Sequence, residues 1–193
     1  MAGTGKAHLR SGDNVIIKVE DLVVEFPIGR GRVVHAVSGI SFDVLEGETL
    51  GLVGESGCGK STTGRAVMQL PSPTSGSIRF DGTEMTDLSG EPLRRMRTRM
   101  QMIFQDPISS LNPRRKVKDI VAEGLTIWGS TIGDFSSDRV NATLEAVGLD
   151  PEVVSDRKPH QFSGGQCQRI CIARARKRFS CTKSARWSRS INH

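Results

Sequence analysis

The residues with the clearest chemical role lie between positions 54 and 62, where the sequence reads Gly-Glu-Ser-Gly-Cys-Gly-Lys-Ser-Thr. This stretch fits the pattern G-x-x-x-x-G-K-S/T and follows the apolar run of residues 49–53, which predicts a strand. Glycines let successive backbone N–H groups face phosphate oxygens, and a helix that starts there points the positive end of its dipole at the same anion. The predicted phosphate site consists of Gly54, Glu55, Ser56, Gly57, Cys58, Gly59, Lys60, Ser61 and Thr62.

Three side chains of this loop have distinct expected roles. Lys60 would reach the β- and γ-phosphates as a point charge, and the Ser61 hydroxyl would ligate the Mg²⁺ that bridges them. Thr62 is expected to cap and pack the start of the helix. An ordinary glycine-rich turn is the alternative, and the loop alone leaves small-molecule kinases, GTPases and transport ATPases open.

A second motif lies about a hundred residues further on, at residues 162–169, with the sequence Phe-Ser-Gly-Gly-Gln-Cys-Gln-Arg. It resembles the signature motif of ABC-type ATPases, Leu-Ser-Gly-Gly-Gln, with Phe162 in place of leucine. The resemblance implies that Ser163, Gly164, Gly165 and Gln166 contact the ATP held by a partner subunit. A serine cap followed by exposed glycine N–H groups also suits an anion, although an ordinary capped turn has the same sequence.

Residues 102–107, Met-Ile-Phe-Gln-Asp-Pro, resemble the glutamine loop of the same family. The resemblance assigns to Gln105 contacts with Mg²⁺ and with the attacking water. The continuation at residues 108–114, Ile-Ser-Ser-Leu-Asn-Pro-Arg, resembles the oligopeptide and dipeptide permease ATPases in particular. A proline-punctuated loop is the alternative interpretation.

The resemblance spans residues 14–175 and implies an α/β fold: a P-loop NTPase core of the RecA-like type, an antiparallel β subdomain and a helical subdomain over about residues 108–163. It also implies ATP and Mg²⁺ as cofactors, a second ABC ATPase subunit, membrane-embedded permease subunits and, indirectly, a solute-binding protein. The chain would then be cytoplasmic and peripheral on the inner face of the cell membrane. Phe26 is expected to stack on adenine, with a place in the core as the alternative.

Hydrophobic periodicity and turn residues predict the local elements. Strands are expected at residues 15–19 and 22–26, and residues 77–80 form a strand that enters an Asp81-Gly82 turn. Helices are expected at residues 60–70 and 92–101. A further helix carries Val140, Leu144 and Val147 on one face, with a serine at 136 or 137 as its cap and Gly148 as its stop.

Composition is that of a globular chain, with 36% apolar and 25% charged residues among 193. The sequence has no apolar run near 18 residues and no leader pattern at its start. Cys58, Cys167, Cys171 and Cys181 lack C-x-x-C spacing, so reduced thiols are expected and a zinc site is not.

The sequence departs from the family after residue 175, where four apolar strand residues, an Asp-Glu pair and a later histidine are expected. The last acidic residue is Asp156, and residues 157–193 contain ten Lys or Arg. We interpret residues 1–13 as an N-terminal tail and the basic residues 176–193 as a disordered or out-of-frame tail that leaves the fold incomplete. A nucleic-acid footprint or membrane attraction would also explain the charge, but no specific nucleic acid is expected.

These patterns indicate an ATP-binding subunit that energises an ABC importer of peptides or a related solute. The first alternative is a truncated protein that binds nucleotide or docks on a permease without turnover, since the expected carboxylates are absent. The second is a non-transport ABC ATPase, which the segment 108–114 argues against.

Overall fold

The computed structural model describes residues 9–132 and 137–176, except residues 11 and 13. These fall into two units with a boundary after Arg97, and each unit is described by itself. The predictions for residues 1–8, for the cap at position 136 and for residues 177–193 lie outside the described part of the chain.

The first unit is built on an antiparallel sheet with strand order β2-β1-β3-β4. Its strands are β1 (Val15–Pro27), β2 (Val33–Leu45), β3 (Ser75–Phe80) and β4 (Thr83–Glu84). Apolar side chains of β1 and β3 point to one face, where Val19, Leu22 and Ile78 are fully buried. The antiparallel β subdomain is therefore present as predicted.

The two strands predicted at residues 15–19 and 22–26 are one continuous strand with a bulge at Asp21, whose φ is 48°. The Ser41 hydroxyl accepts a hydrogen bond from the Asp21 N–H at 2.9 Å and so satisfies a donor that leaves the ladder. On the other side, a Cβ at Gly76 would lie 2.5 Å from the Asp21 carbonyl oxygen. The bulge thus requires glycine at position 76.

The turn between β3 and β4 is the predicted one. Asp81 and Gly82 both have positive φ, 48° and 75°, as a two-residue hairpin turn with the right-handed strand twist requires. Glu84, at the end of β4, accepts hydrogen bonds from the Ser77 hydroxyl at 2.6 Å and from the Ile78 N–H at 3.0 Å. This carboxylate fastens β3 to β4.

Helix α1 (Lys60–Val67) and helix α2 (Gly90–Arg97) complete the first unit. Arg97 donates hydrogen bonds to the carbonyl oxygens of Met68 and Gln69, at 2.9 and 2.6 Å, and so caps the end of α1 with a cation. Both helices are shorter than the predicted ranges 60–70 and 92–101.

The strand expected at residues 49–53 is absent, because these residues pair with no described strand. Leu50 and Leu52 are 40% and 46% exposed, and Val53 is 97% exposed. An apolar run of this kind forms a strand only when neighbours cover it on both faces and both edges. The apolar residues 102–104 are likewise outside any strand.

The second unit is helical, as the predicted subdomain requires. Its elements are α3 (Pro107–Ser110), α4 (Val117–Ile132), α5 (Ser137–Glu145), α6 (Pro151–Val154), a 3₁₀ turn (Pro159–Gln161) and α7 (Gly164–Arg176). Its core gathers residues from α4, α5, α6 and α7, including Val117, Val121, Val140, Leu144, Val154, Cys167, Ile170 and Cys171. Among the described helices, none is both long and apolar enough to cross a bilayer.

Helix α5 ends where the sequence predicts. Gly148 has a φ of 71° and donates to the Glu145 carbonyl at 2.8 Å, and Leu149 donates to the Leu144 carbonyl at 3.0 Å. This pair of bonds is the glycine-terminated helix end of the Schellman type. Val140 and Leu144 are buried and Val147 packs against the same core.

Candidate functional site

The start of α1 is an open set of N–H donors. Gly59 is the residue before the helix, in the left-handed conformation with φ 89°, and its position offers no side-chain cap. No acidic residue lies in the first turn. The N–H groups of the first turn and the positive end of the helix dipole therefore remain available to an anion.

The glycines of the loop are required by its shape. A Cβ at Gly59 would lie 2.2 Å from the carbonyl oxygen of Ala36, where β2 passes the loop. A Cβ at Gly54 would lie 2.6 Å from the Cys58 sulfur, and Gly57 has a φ of 84°. The backbone thus takes a conformation that depends on glycine at positions 57 and 59, as in the backbone cradle of a phosphate-binding loop.

The Lys60 side chain lies back along the loop. Its Nζ donates to the carbonyl oxygens of Gly54 and Glu55, at 2.8 and 2.6 Å, and lies 3.5 Å from the Cys58 sulfur. The ammonium is therefore held at the loop itself rather than in bulk solvent. An anion in the cradle would lie within reach of this charge after a rotation of the side chain.

The expected cap at Thr62 is wrong. Thr63 is the threonine that is buried, and its hydroxyl and N–H both donate to the Gly59 carbonyl, at 3.0 and 2.8 Å. Thr63 faces the core because it is one position further around the helix. Ser61 is exposed at the start of α1, as a hydroxyl ligand for a metal ion would have to be.

Phe26 lies near the end of the β1-β2 hairpin, paired with Val34, and its side chain is 39% exposed. Val34 is two residues from Ala36, whose carbonyl touches the loop at Gly59. The ring therefore belongs to the same unit as the phosphate loop and stands outside the buried core. Beside it, His35 Nδ1 lies 2.7 Å from a Glu25 carboxylate oxygen.

The signature residues form a capping box at the start of α7. The Ser163 hydroxyl accepts from the Gln166 N–H at 3.3 Å, and the Gln166 side chain accepts from the Ser163 N–H at 3.0 Å. The Ser163 hydroxyl proton remains free to be donated to a ligand. Ser163, Gly164 and Gly165 are exposed.

Gln105 is exposed and lies two residues before the start of α3. The next residue, Asp106, caps that helix through its carboxylate, which accepts from the N–H groups of Ile108 and Ser109 at 3.0 and 3.3 Å. Hydrogen bonds from Ser109 and Ile108 hold the pKa of Asp106 below its usual range. Gln105 is therefore the residue before the N-cap of α3.

Helix α3 is fastened to α7 by contacts that the sequence does not reveal. Arg174 donates to the Ser110 carbonyl at 2.7 Å, and the Cys171 sulfur lies 3.2 Å from the Ser110 hydroxyl and 3.6 Å from the Pro107 carbonyl. The helix that begins at the signature therefore also holds the turn that follows Gln105. No local pattern could have found this brace, because the partners are about 64 residues apart.

Two other α7 residues tie the signature helix to its surroundings. Arg169 donates to the Gly148 carbonyl at 2.8 Å and so binds the end of α5. Cys167 is buried, and this burial raises the pKa of its thiol. The nearby Cys171 raises that pKa further, by a smaller amount. The described cysteines are free thiols, with Cys58 alone among them exposed.

Comparison with known proteins decides the family. A family model described as ABC transporter matches residues 37–178, which include the phosphate loop, the glutamine loop and the signature. The chain belongs to the ABC transporter family. The predicted fold class and family are therefore confirmed.

Among curated proteins, the chain is similar to the glutathione import ATP-binding protein GsiA. Identity is 51% over 166 residues for the protein of Salmonella paratyphi A and 49% over 166 residues for that of Escherichia coli K12. The match covers 83% of this chain and 26% of each relative, so the chain spans about a quarter of their length. The expected similarity to the peptide-importer branch is confirmed.

Solved structures agree on the fold. The ATP-binding cassette MJ0796, as a dimer in a post-hydrolysis state bound to ADP and Pi, matches with a TM-score of 0.73 and 27% identity, over 84% of this chain and 69% of that one. The protein cbiO1 of Clostridium perfringens, part of the cbiONQ transporter complex, matches with a TM-score of 0.66 and 28% identity, over 86% and 62%.

Proposed function

We propose that this chain is the ATP-binding part of an ABC importer, and that residues 54–62 hold the phosphates of ATP. The observation that carries the proposal is the start of α1, which has no side-chain cap and follows a loop that needs glycine at positions 57 and 59. Lys60, already anchored at this loop, exchanges its carbonyl partners for the β- and γ-phosphate oxygens. Phe26, exposed at the end of the hairpin of the same unit, is the candidate surface for adenine.

Mg²⁺ would neutralise phosphate charge when bound, and Ser61 and Gln105 are its proposed ligands in this chain. Both offer neutral oxygens, and no carboxylate follows Asp156 in the sequence. We therefore expect the phosphates themselves to supply most of the attraction for the ion. Gln105 would in addition orient the attacking water.

The signature residues 163–166 are proposed to contact the nucleotide that is bound by a second subunit. Ser163 can donate its hydroxyl proton while the capping box keeps its oxygen in place, and Gly164 and Gly165 leave the backbone N–H groups accessible. The dimeric state of the similar cassette MJ0796 supports a paired assembly. The proposed partners are a second ATPase subunit and membrane-embedded permease subunits, with a solute-binding protein engaged indirectly.

The name of the similar GsiA proteins suggests the cargo class, a peptide or a related small solute such as glutathione. The chain would act peripherally on the inner face of the cell membrane. Cargo does not contact an ATP-binding subunit, so the permease determines which solute is carried.

The second candidate function is nucleotide binding without turnover. In residues 1–193 no Asp-Glu pair follows the signature helix, so the chain offers no general base at that place. We therefore propose that the 1–193 chain binds ATP and hydrolyses it slowly or not at all.

A titration with two readouts tests these proposals. Fluorescent ATP should bind the wild-type chain and lose at least about tenfold in affinity in Lys60→Ala, since one charge-assisted phosphate contact is worth about 1.5–3 kcal/mol. Lys18→Ala is the matched control, because Lys18 lies on β1 and pairs with Glu20 at 3.0 Å. Phosphate release should stay near the uncatalysed rate. Equal binding by both variants would refute the phosphate site, and fast release would refute the second candidate.

A further inference from the structure

The second unit carries a group of basic side chains on two short segments, one at the start of α4 and one after α6. We call it the basic cluster. It consists of Arg114, Arg115, Lys116, Lys118, Arg157 and Lys158, all of them exposed.

Backbone and side-chain contacts hold the two segments side by side. The Val117 N–H donates to the Arg157 carbonyl at 2.9 Å, and the Lys118 N–H donates to the Ser155 carbonyl at 3.1 Å. The ammonium groups of Lys116 and Lys118 both lie 2.8 Å from the same oxygen of Asp156. The basic cluster is therefore one fixed surface rather than two separate runs of charge.

The positive charge of the unit is concentrated there. The basic cluster has six basic residues, and Asp119, Glu123 and Asp156 are the acidic residues beside it, for a formal charge of +3. The other residues of this unit that the structure describes contain five basic and five acidic side chains, which balance. The excess therefore sits on one face, as it does in surfaces that attract anions.

Half of the basic cluster has no counter-charge of its own. Arg115 pairs with Glu123 at 2.7 Å, and the two lysines share one carboxylate. The side chains of Arg114, Arg157 and Lys158 make no ion pair or hydrogen bond with another described residue. Two ammonium groups that converge on one exposed carboxylate oxygen also show that the surface can coordinate an anionic oxygen, here supplied by Asp156.

We propose that the basic cluster binds the anionic headgroups of the membrane surface. Clusters of four to eight Lys and Arg are typical of surfaces that recognise acidic lipids. The two segments contain no aromatic residue on which nucleic-acid bases could stack, and none of their residues is an exposed large hydrophobic one. Protein interfaces centre on buried apolar and aromatic anchors, which this surface lacks. The inference rests on the proposed function, which brings the chain to the membrane.

Vesicle co-sedimentation tests it with the full chain. Vesicles of phosphatidylcholine alone are compared with vesicles that also contain phosphatidylglycerol, at low and high salt. The cluster variant R114Q/R157Q/K158Q removes three charges whose side chains hold no described partner. The matched control K183Q/R186Q/R189Q removes three charges from the basic tail.

We expect binding only to the acidic vesicles, weakened by salt, with at least about a tenfold loss of partitioning in the cluster variant and a much smaller loss in the control. An equal loss of vesicle partitioning in the two variants would overturn the proposal. A wild-type chain that binds no vesicles would also overturn it, and would leave an acidic protein segment as the partner. Inorganic phosphate that releases the chain better than chloride at equal ionic strength would also overturn it, in favour of a free-phosphate site. ATP titration of the cluster variant should match wild type, so a failure here is distinguishable from a failure of the phosphate loop.

Discussion

Within the phosphate loop, Gly59 is the residue whose backbone conformation and surroundings leave the least room for a side chain. It combines a φ of 89° with an Ala36 carbonyl oxygen 2.2 Å from the place of a Cβ. Gly59→Ala should therefore destabilise the first unit by about 2–4 kcal/mol, since it adds a clash to the cost of the left-handed conformation. Gly47→Ala is the control, because Gly47 has a φ of 77° but open space around it, and should cost only about 1 kcal/mol. Urea unfolding measures both, and equal costs would contradict the close approach.

A second residue-scale prediction concerns Glu84 and pH. Burial raises its pKa, but hydrogen bonds from Ser77, Thr86, the Ile78 N–H and Arg79 outweigh burial and bring the pKa down to about 2 from 4.5. A lowered pKa in the folded state gives stability that is present above the unfolded value and lost as pH falls toward about 2.

Glu84→Gln should accordingly cost up to about 3 kcal/mol near pH 7, and the difference from wild type should shrink between pH 5 and pH 2. Urea unfolding across that range is the measurement. A difference that stays constant with pH would show that the Glu84 carboxylate charge contributes nothing.

At the scale of elements, variants can separate the capping role of the start of α7 from its proposed contact with the nucleotide of a second subunit. Ser163→Ala removes the acceptor for the Gln166 N–H and should destabilise the second unit by about 1 kcal/mol. Ser163→Asp keeps an acceptor at that place but puts a negative charge where the partner's phosphates would lie. We expect Ser163→Asp to retain wild-type stability and to lose dimer formation in MgATP, measured by light scattering. Normal ATP-dependent dimers of Ser163→Asp would show that the residue is only a helix cap.

The elements also show how far local sequence determines structure. The Asp81-Gly82 turn, the stop of α5 at Gly148 and the cap at Ser163 were predictable, because each depends on neighbours within a few residues. The brace of α3 by Arg174, the cap of α1 by Arg97 and the bulge at Asp21 were not, because each needs a partner far along the chain. Thr63 was missed in favour of Thr62 for a similar reason: the direction of the core fixes which threonine is buried.

For the whole molecule, the most informative wrong prediction is the strand expected at residues 49–53. The apolar run has the composition of a central strand, yet it pairs with no described strand and leaves Val53 almost fully exposed. Composition fixes the tendency of a segment to be buried, but its pairing depends on strands contributed from elsewhere. The conformation of Gly59 does not depend on that strand, since α1 begins directly after Gly59 and the Ala36 carbonyl of β2 lies beside it.

The central claim is that ATP occupies this cradle, and Cys58 tests it most directly. Its exposed sulfur lies 3.5 Å from Lys60 Nζ inside the loop, whereas Cys167 and Cys171 are buried. Alkylation followed by site-resolved mass spectrometry should label Cys58 in the free chain. MgATP should protect it over the same concentration range as in the binding titration, and Lys60→Ala should lose that protection. Labelling of Cys58 that is unchanged at saturating MgATP would contradict the account, because ATP would then bind elsewhere or not at all.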